Sequence, residues 1–137
     1  MRLTDTQINE YRTLKDSGVH VEKTHTIKPH RSDETSIHFA AKAMTAKVGK
    51  EHGYIANCEC PVPEGDIDVC LWGCEGRLSY AVEIEHSPTE DTVKSKLRRY
   101  VSDTGIDELC LINANELPLN VIELEDTIRE ELGLNHE

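Results

Sequence analysis

The chain has 137 residues, enough for one domain, and is strongly acidic, with 26 Asp and Glu residues against 15 Lys and Arg and a formal net charge of −11. Apolar residues make up 37% of the chain and aromatic residues 4%, so a core must come mainly from aliphatic side chains. No run of about 18 apolar residues is present, which excludes a typical membrane span. The first residues lack the apolar stretch of a secretory signal, and we therefore expect a cytoplasmic protein.

The acidic excess has the wrong sign for a generic nucleic-acid-binding protein, because phosphate contacts favour Lys and Arg. Two explanations stay open. One is a halophilic chain, for which salt at about 1 M screens exposed charges beyond about 3 Å. The other is that the acidic residues are concentrated away from the substrate.

The N-terminal part of the chain is expected to be a helix followed by extended structure. The pattern predicts a short helix over 1–18, capped by Thr4, and then an extended segment or loop over 19–31. We divide the chain into this N-terminal part, 1–31, and an α/β domain over 32–137, within a single compact body.

A helix and three strands are predicted next. Residues 32–52 have helical spacing, with Ser32 or Asp33 as the cap and Gly53 at the end. The three strands cover 54–60, 66–72 and 78–85, separated by a turn at 61–65 and a hairpin loop at 73–77.

The last third of the chain predicts helix, strand, helix. Ser87 and Pro88 favour the start of a helix that runs to about Val101. A buried strand over 109–113 and a helix over 121–132 follow. The order of elements from residue 32 predicts an α/β fold with a mixed central sheet of four or five strands flanked by helices.

Four carboxylates lie at alternate positions of the second and third predicted strands: Asp66, Asp68, Glu83 and Glu85. Side chains alternate between the faces of a strand, so we expect these four on one side of a hairpin, opposite Ile67, Val69 and Leu71. Neighbouring carboxylates raise each other's pKa or recruit a cation. An oxygen-only site suits Mg²⁺ or Mn²⁺, which activates water and stabilises negative charge on a phosphate. The alternative is a solvated polar face.

Residues 65–69 (GDIDV) and 81–85 (AVEIE), joined by a hairpin, resemble the PD-(D/E)XK superfamily of restriction-endonuclease-like nucleases. The predicted elements from 32 to about 114 agree with the αβββαβ core of that superfamily. The resemblance implies that Asp68 and Glu83 are catalytic metal ligands, with the backbone carbonyl of Ile84 as a third ligand.

Two further acids belong to the same interpretation. Glu34 resembles the upstream Glu that many members add to the metal site; the alternative is a first-turn acid favoured by the helix dipole. Asp66 is expected beside the ligands without touching the metal.

The chain departs from the superfamily at the third motif position, where Glu85 stands in place of the usual Lys. Glu85 could act catalytically, as a further ligand or by orienting the attacking water. A Lys from elsewhere, Lys94 or Lys96 on the following helix, could supply the positive charge. The departure also leaves open an inactive descendant that binds nucleic acid or a protein partner.

Four basic residues fall within six positions of the helix after this motif: Lys94, Lys96, Arg98 and Arg99. With Val93, Leu97 and Val101 facing inward, they are expected to project outward and contact the DNA backbone. The alternative is an ordinary solvated helix face. His38, one turn after Glu34, is a candidate phosphate contact or proton shuttle, or a surface histidine.

The cysteines allow a second metal hypothesis. Zinc ligation is expected to involve Cys58, Cys60, Cys70 and Cys74 if a zinc site exists. Their spacing is not the usual C-x-x-C pair, and buried thiols without metal are the alternative.

The resemblance implies a metal-dependent endodeoxyribonuclease. A domain this small covers little DNA, which favours a homodimer that cuts two strands. A catalytically inactive binding module and a cysteine-zinc structural protein are the other hypotheses.

Overall fold

The computed structural model describes residues 2–30 and 34–134. Its elements are α1 (Asp5–Asp16), α2 (Ser36–Glu51), β1 (Ile55–Val62), β2 (Gly65–Trp72), β3 (Tyr80–Glu85), α3 (Glu90–Leu97), a π-helical turn (Arg98–Ser102), β4 (Glu108–Asn113), a 3₁₀ turn (Ala114–Glu116) and α4 (Val121–Leu132). The four strands lie in the order β1-β2-β3-β4, antiparallel except for the parallel β3–β4 pair. The predicted α/β class with a mixed sheet is confirmed. Within the described ranges no helix is long and apolar enough to cross a bilayer.

The sheet lies between two apolar clusters. On one face, α2 and α4 pack against residues such as Val69, Leu71 and Val82. On the other face, α1 and the segment after it pack against Cys70 and Trp72. The segment after α1 continues beside β1, where Thr26 forms a parallel bridge with Asn57. The predicted extended segment therefore covers the outer edge of β1.

The helix starts differ from the predicted ones at two of three positions. Thr4 caps α1 as expected, with its side chain accepting from Gln7 N. Helix α2 is capped by Thr35, so Glu34 precedes the helix instead of lying in its first turn; the predicted caps Ser32 and Asp33 lie outside the described residues. Helix α3 is capped by Thr89, not Ser87, because the Thr89 hydroxyl is the one that reaches a first-turn amide.

The buried face of α3 is polar. The expected inner residue Leu97 is 42% exposed, whereas Lys96 and Tyr100, one turn apart, are 7% and 4% exposed. Burial of Lys96 is tolerated because carboxylates on β3 pair with its ammonium group. The helix continues into the π-helical turn at Arg98, a local irregularity that is frequent at functional sites.

The alternation of strand β2 breaks next to Asp68. Ile67 packs in the cluster on the α1 side, while Val69 and Leu71 pack on the α2 side, so the prediction that all three share a face is wrong. Glu59 lies opposite Asp68 on the neighbouring strand β1 and has a left-handed backbone with φ 50°. Strand β1 turns at this residue. Non-glycine residues are uncommon in that region and cluster at active sites and ligand-binding sites.

Helix α2 approaches β2 most closely at Gly49, and this contact predicts a stability effect. A Cβ added there would lie 2.5 Å from Leu71 Cδ2, and Leu71 is fully buried. Overpacking costs about 1–3 kcal/mol, against a gain of about 1 kcal/mol in helix propensity. We expect Gly49→Ala to lower the free energy of unfolding in urea by about 1 kcal/mol. Gly105→Ala, whose Cβ meets its neighbours at 3.5 Å or more, is the control and should show no loss.

An ion network joins α2 to α4, and its loss with acid is a second prediction. Glu51 contacts Lys47 at 2.5 Å and the buried Arg129. Hydrogen bonds from Lys47 and Arg129 lower the pKa of Glu51 to about 2. A lowered pKa stabilises the fold above the ordinary value of 4.5, and that stabilisation is lost as the pH falls toward 2.

Glu51→Gln is therefore expected to lower the melting temperature at pH 7 and to lose this difference from the wild type as the pH falls from 5 toward 2. Because the Glu51 side chain is 42% exposed, the effect at pH 7 should stay below about 1 kcal/mol. A difference that persists unchanged at pH 3 would show that the charge of Glu51 is not its source.

Candidate active site

Asp68 and Glu83 interlock across strands β2 and β3. The Asp68 amide donates to Glu83 Oε2 at 2.6 Å, and the Ile84 amide donates to Asp68 Oδ2 at 2.8 Å. The regular ladder between these strands extends only from the Leu71–Tyr80 pair to the Val69–Val82 pair, so the two carboxylates take over the backbone pairing beyond it. Their exposures are 9% and 2%. The structure thus brings the two predicted motif acids together in a buried position.

Lys96 reaches this pair from α3. Its Nζ lies 2.5 Å from Glu83 Oε1 and also contacts Glu85 Oε1. The prediction that Lys96 projects outward is wrong, because its ammonium group is buried among the carboxylates of β3. Glu85, at the position where the resemblance implied a Lys, is half-buried and contacts the lysine of α3.

The electrostatics of the pair are asymmetric. Burial, followed by the charge of Asp68, raises the pKa of Glu83 to about 8 despite the opposing charge of Lys96. Burial also acts to raise the pKa of Asp68, but hydrogen bonds from His38 and the Ile84 amide outweigh it, and the pKa is lowered. Near neutral pH the site therefore holds one ionised carboxylate and a second one that an added cation would help to ionise.

Helix α2 closes the other side of the site. His38 Nδ1 lies 2.6 Å from Glu34 Oε2, and His38 Nε2 lies 3.4 Å from Asp68 Oδ2. The fully buried Lys42 contacts Glu34 at 2.8 Å and Glu59 at 3.3 Å. The hydrogen bond to Asp68 is the largest effect on His38 and raises its pKa to about 9. Glu34, a predicted metal ligand, thus contacts His38 and Lys42. It is linked to Asp68 through the His38 ring.

These groups line an open cavity of about 570 Å³. Its wall includes Asp66, Asp68, Glu83 and Glu85 together with His38 and Lys96. Asp66, expected beside the ligands, is exposed at the rim. The cavity places cationic groups on both sides of the central carboxylate pair.

The remaining basic residues are outside the cavity. Lys94 is exposed and pairs with Glu90 at 3.1 Å. Arg98 pairs with Glu64 at 2.6 Å, and Arg99 donates to the Glu64 carbonyl at 3.1 Å. Lys94 and Arg98 keep the predicted outward placement, whereas Arg99 is half-buried and also lies over the ring of the buried Tyr100.

The four cysteines of the zinc hypothesis are not brought together. Cys58 packs on the α2 side of the sheet, whereas Cys60 and Cys70 pack on the α1 side. Cys74 lies in the loop after β2 and donates to the His52 carbonyl. The turn of β1 at Glu59 separates Cys58 from Cys60, so these cysteines lie on opposite faces of the sheet.

Sequence reasoning missed Lys42 and Glu59. Lys42 follows His38 by four residues, a helical spacing that puts both on one side of α2, and Glu34 lies one further turn back, just before the helix. Glu59 stands opposite Asp68, because the neighbouring pairs are Cys58–Val69 and Cys60–Ile67. The helical spacing was a usable signal, whereas the role of Glu59 depends on a strand turn that no sequence pattern indicates.

The donors of this site suit a hard divalent ion, although no multi-residue cage is assembled. Across residues 2–30 and 34–134 there is no group of three or more His, Cys, Asp or Glu side chains arranged to hold a metal. Mg²⁺ does not need one, because it is usually bound by one or two carboxylates and completes its shell with water and substrate phosphate. The buried Asp68–Glu83 pair, beside an open cavity, fits that requirement.

Comparison with known proteins found no matching family model, no curated protein and no solved structure with significant similarity.

Proposed function

We propose that this protein is a restriction-endonuclease-like, Mg²⁺-dependent nuclease that hydrolyses phosphodiester bonds in DNA. The observation that supports it is the interlocked Asp68–Glu83 pair with the Lys96 ammonium group in contact with Glu83. These are two acids and one lysine, the same three kinds of group as in the superfamily motif, with the lysine supplied by α3 in place of the third motif position.

Asp68 and Glu83 would hold the ion, with the Ile84 carbonyl as the ligand that the resemblance implies. When bound, Mg²⁺ supplies charge stabilisation at the phosphate and lowers the pKa of water. Asp68 is already ionised and held in place by the Ile84 amide, which fixes one donor before the ion arrives.

Lys96 provides positive charge next to the acids. A lysine ammonium is a compact charge on a flexible stem, so it can contact Glu83 in the free protein and a phosphate oxygen in the complex. Glu85 keeps the ammonium in the cavity during that exchange. In this proposal Glu85 positions Lys96, which explains why a Glu is compatible with the third motif position.

DNA contacts outside the cavity come from Lys94, Arg98 and Arg99. Lys94 and Arg98 pair with the exposed Glu90 and Glu64, and surface ion pairs of this kind are weak enough to be exchanged for phosphate. Arg99 donates to the backbone carbonyl of Glu64. A 137-residue chain covers little DNA, so we also propose a homodimer as the unit that cuts two strands. The acidic remainder of the surface is consistent with a halophilic, cytoplasmic protein.

A second candidate function is a binding module without catalysis. It is favoured by one specific observation: the buried Lys96 ammonium contacts Glu83 and Glu85, so a cation already offsets the acidic charge of the site without a metal. The two candidates differ in whether added Mg²⁺ produces cleavage.

The test is conversion of supercoiled plasmid to nicked and linear forms in Mg²⁺, with EDTA and Ca²⁺ as comparisons, at about 0.1 M and about 1 M KCl. The nuclease proposal expects Mg²⁺-dependent cleavage by the wild type and none by an Asp68→Asn protein purified in parallel. Cleavage that is equal in the two proteins reveals a contaminant and rejects the site. DNA binding without cleavage in any divalent ion favours the binding module.

A further inference from the structure

A chain of alternating charges runs from the outer edge of the sheet to the cavity, through Glu59, Lys42, Glu34 and His38. The contacts are 3.3 Å from Glu59 to Lys42, 2.8 Å from Lys42 to Glu34 and 2.6 Å from Glu34 to His38. The lysine side chain is fully buried, and the Glu34 and Glu59 side chains are 7% and 11% exposed. Burying three charges in a row is costly unless each is paired. Solvation at the protein surface therefore does not explain this arrangement.

The two ring nitrogens of His38 make contacts of different length. Nδ1 makes a short contact with Glu34, whereas Nε2 is 3.4 Å from Asp68 Oδ2, beyond the usual length of a good charged hydrogen bond. Since both ring nitrogens face carboxylate oxygens, the arrangement favours a ring that carries both protons. The Nε2–H donor therefore faces Asp68 over a long contact of 3.4 Å, at the cavity wall that His38 helps to form.

A phosphodiester that enters this cavity approaches several carboxylates and needs donors near its oxygens. Lys96 stands on the α3 side of the Asp68–Glu83 pair and His38 on the α2 side. The two cations flank the place where the scissile phosphate would bind in the proposed nuclease.

We propose that His38 is a phosphate-binding residue whose Nε2–H donates to a non-bridging oxygen of the substrate phosphodiester, and that Glu34 and Lys42 are positioning residues that orient its ring. This inference rests on the proposed function for the identity of the substrate. It assigns Glu34 a role different from the metal ligand that the resemblance implied.

The first test is binding of a fluorescein-labelled DNA duplex, measured by anisotropy in Ca²⁺, where cleavage is not needed. Loss of one charge-assisted hydrogen bond predicts about tenfold weaker binding by His38→Gln. His20→Gln, at an exposed position away from the cavity, is the matched control and should bind like the wild type. Unchanged affinity in His38→Gln, or absence of binding by the wild type, overturns the proposal.

The second test separates positioning from general structural damage, using the ring N–H protons of His38 observed by ¹H–¹⁵N NMR. Glu34→Gln should move the Nδ1–H resonance and weaken duplex binding in the same direction as His38→Gln, while the apparent Mg²⁺ requirement for plasmid cleavage stays unchanged. The duplex should move the Nε2–H resonance in the wild type. A Nε2–H resonance that does not respond to saturating duplex overturns the phosphate contact, and a raised Mg²⁺ requirement in Glu34→Gln returns Glu34 to the metal site.

The two proposals fail in different ways. If the wild type does not cleave DNA but His38→Gln still weakens binding, the nuclease proposal fails and the phosphate contact stands. If the wild type cleaves and His38→Gln binds normally, the nuclease proposal stands and the phosphate contact fails.

Discussion

Asp68→Asn is expected to lower the rate of Mg²⁺-dependent plasmid cleavage about a thousandfold, equivalent to about 4 kcal/mol of transition-state stabilisation. An asparagine oxygen can still accept from the Ile84 amide, which donates to Asp68 at 2.8 Å, so the link between β2 and β3 is kept. The charge that would hold the ion and that faces His38 is lost. The substitution therefore separates the chemistry of the site from its packing.

Two further variants make this result specific. Glu83→Gln keeps an acceptor for the Asp68 amide and should lose cleavage to a similar extent, since it removes the second acid. Asp126→Asn, on the exposed side of α4, changes the net charge by the same amount and should cleave normally. Circular dichroism of all three proteins checks that they are folded. Substantial cleavage by Asp68→Asn would reject the proposed metal site.

Lys96→Met is expected to affect both stability and activity. It leaves Glu83, which is 2% exposed, without its closest cation. Breaking a buried pair by removing one partner typically costs about 3–5 kcal/mol. Glu83 can avoid part of this cost by taking up a proton, because its pKa is already raised to about 8 by burial and by Asp68.

The stability loss should therefore depend on pH. Lys96 favours the ionised form of Glu83, so its removal raises the pKa of Glu83 further. Below a pH of about 8 the Glu83 carboxyl is neutral in both proteins, so Lys96→Met lowers the free energy of unfolding only slightly. As the pH rises through 8, the wild type keeps an ion pair while the variant keeps a buried unpaired group, and the difference in free energy of unfolding should grow.

Urea unfolding at pH 6 and pH 9, in EDTA, measures this difference. Lys94→Met is the control for stability, since Lys94 is exposed and pairs with an exposed Glu90, and it should stay within about 0.5 kcal/mol of the wild type at both values. At pH 6, where Lys96→Met remains folded, its plasmid cleavage should be reduced about a hundredfold or more. A Lys96→Met protein with wild-type cleavage would show that the α3 lysine does not replace the motif lysine.

The position of Lys96 shows how a cation on a helix can reach the carboxylates of a neighbouring strand. The lysine stem is long enough to reach the β3 carboxylates from the neighbouring helix. Glu85 then gains a partner instead of adding an uncompensated charge. Glu85 on β3 and the buried Lys96 on α3 are therefore two parts of one arrangement.

The sequence by itself determined the sheet and the acid pair. Alternation along residues 66–72 and 78–85 predicted two strands, found at Gly65–Trp72 and Tyr80–Glu85, and the loop between them predicted their antiparallel pairing. Those two local patterns bring Asp68 and Glu83 together, because a hairpin fixes its register within a few residues. The Thr4 cap and the helix ending at Leu132 are equally local and were predicted for the same reason.

Only the tertiary structure decided what surrounds the acids. Whether Lys96 or Leu97 faces inward depends on the carboxylates that α3 meets, and those lie on another element, so apolar spacing pointed to the wrong residue. The separation of Cys58 from Cys60 depends on the left-handed turn at Glu59. Burial of a charge is stable only when its partners are in place, and partners distant in sequence leave no periodic signal along the chain.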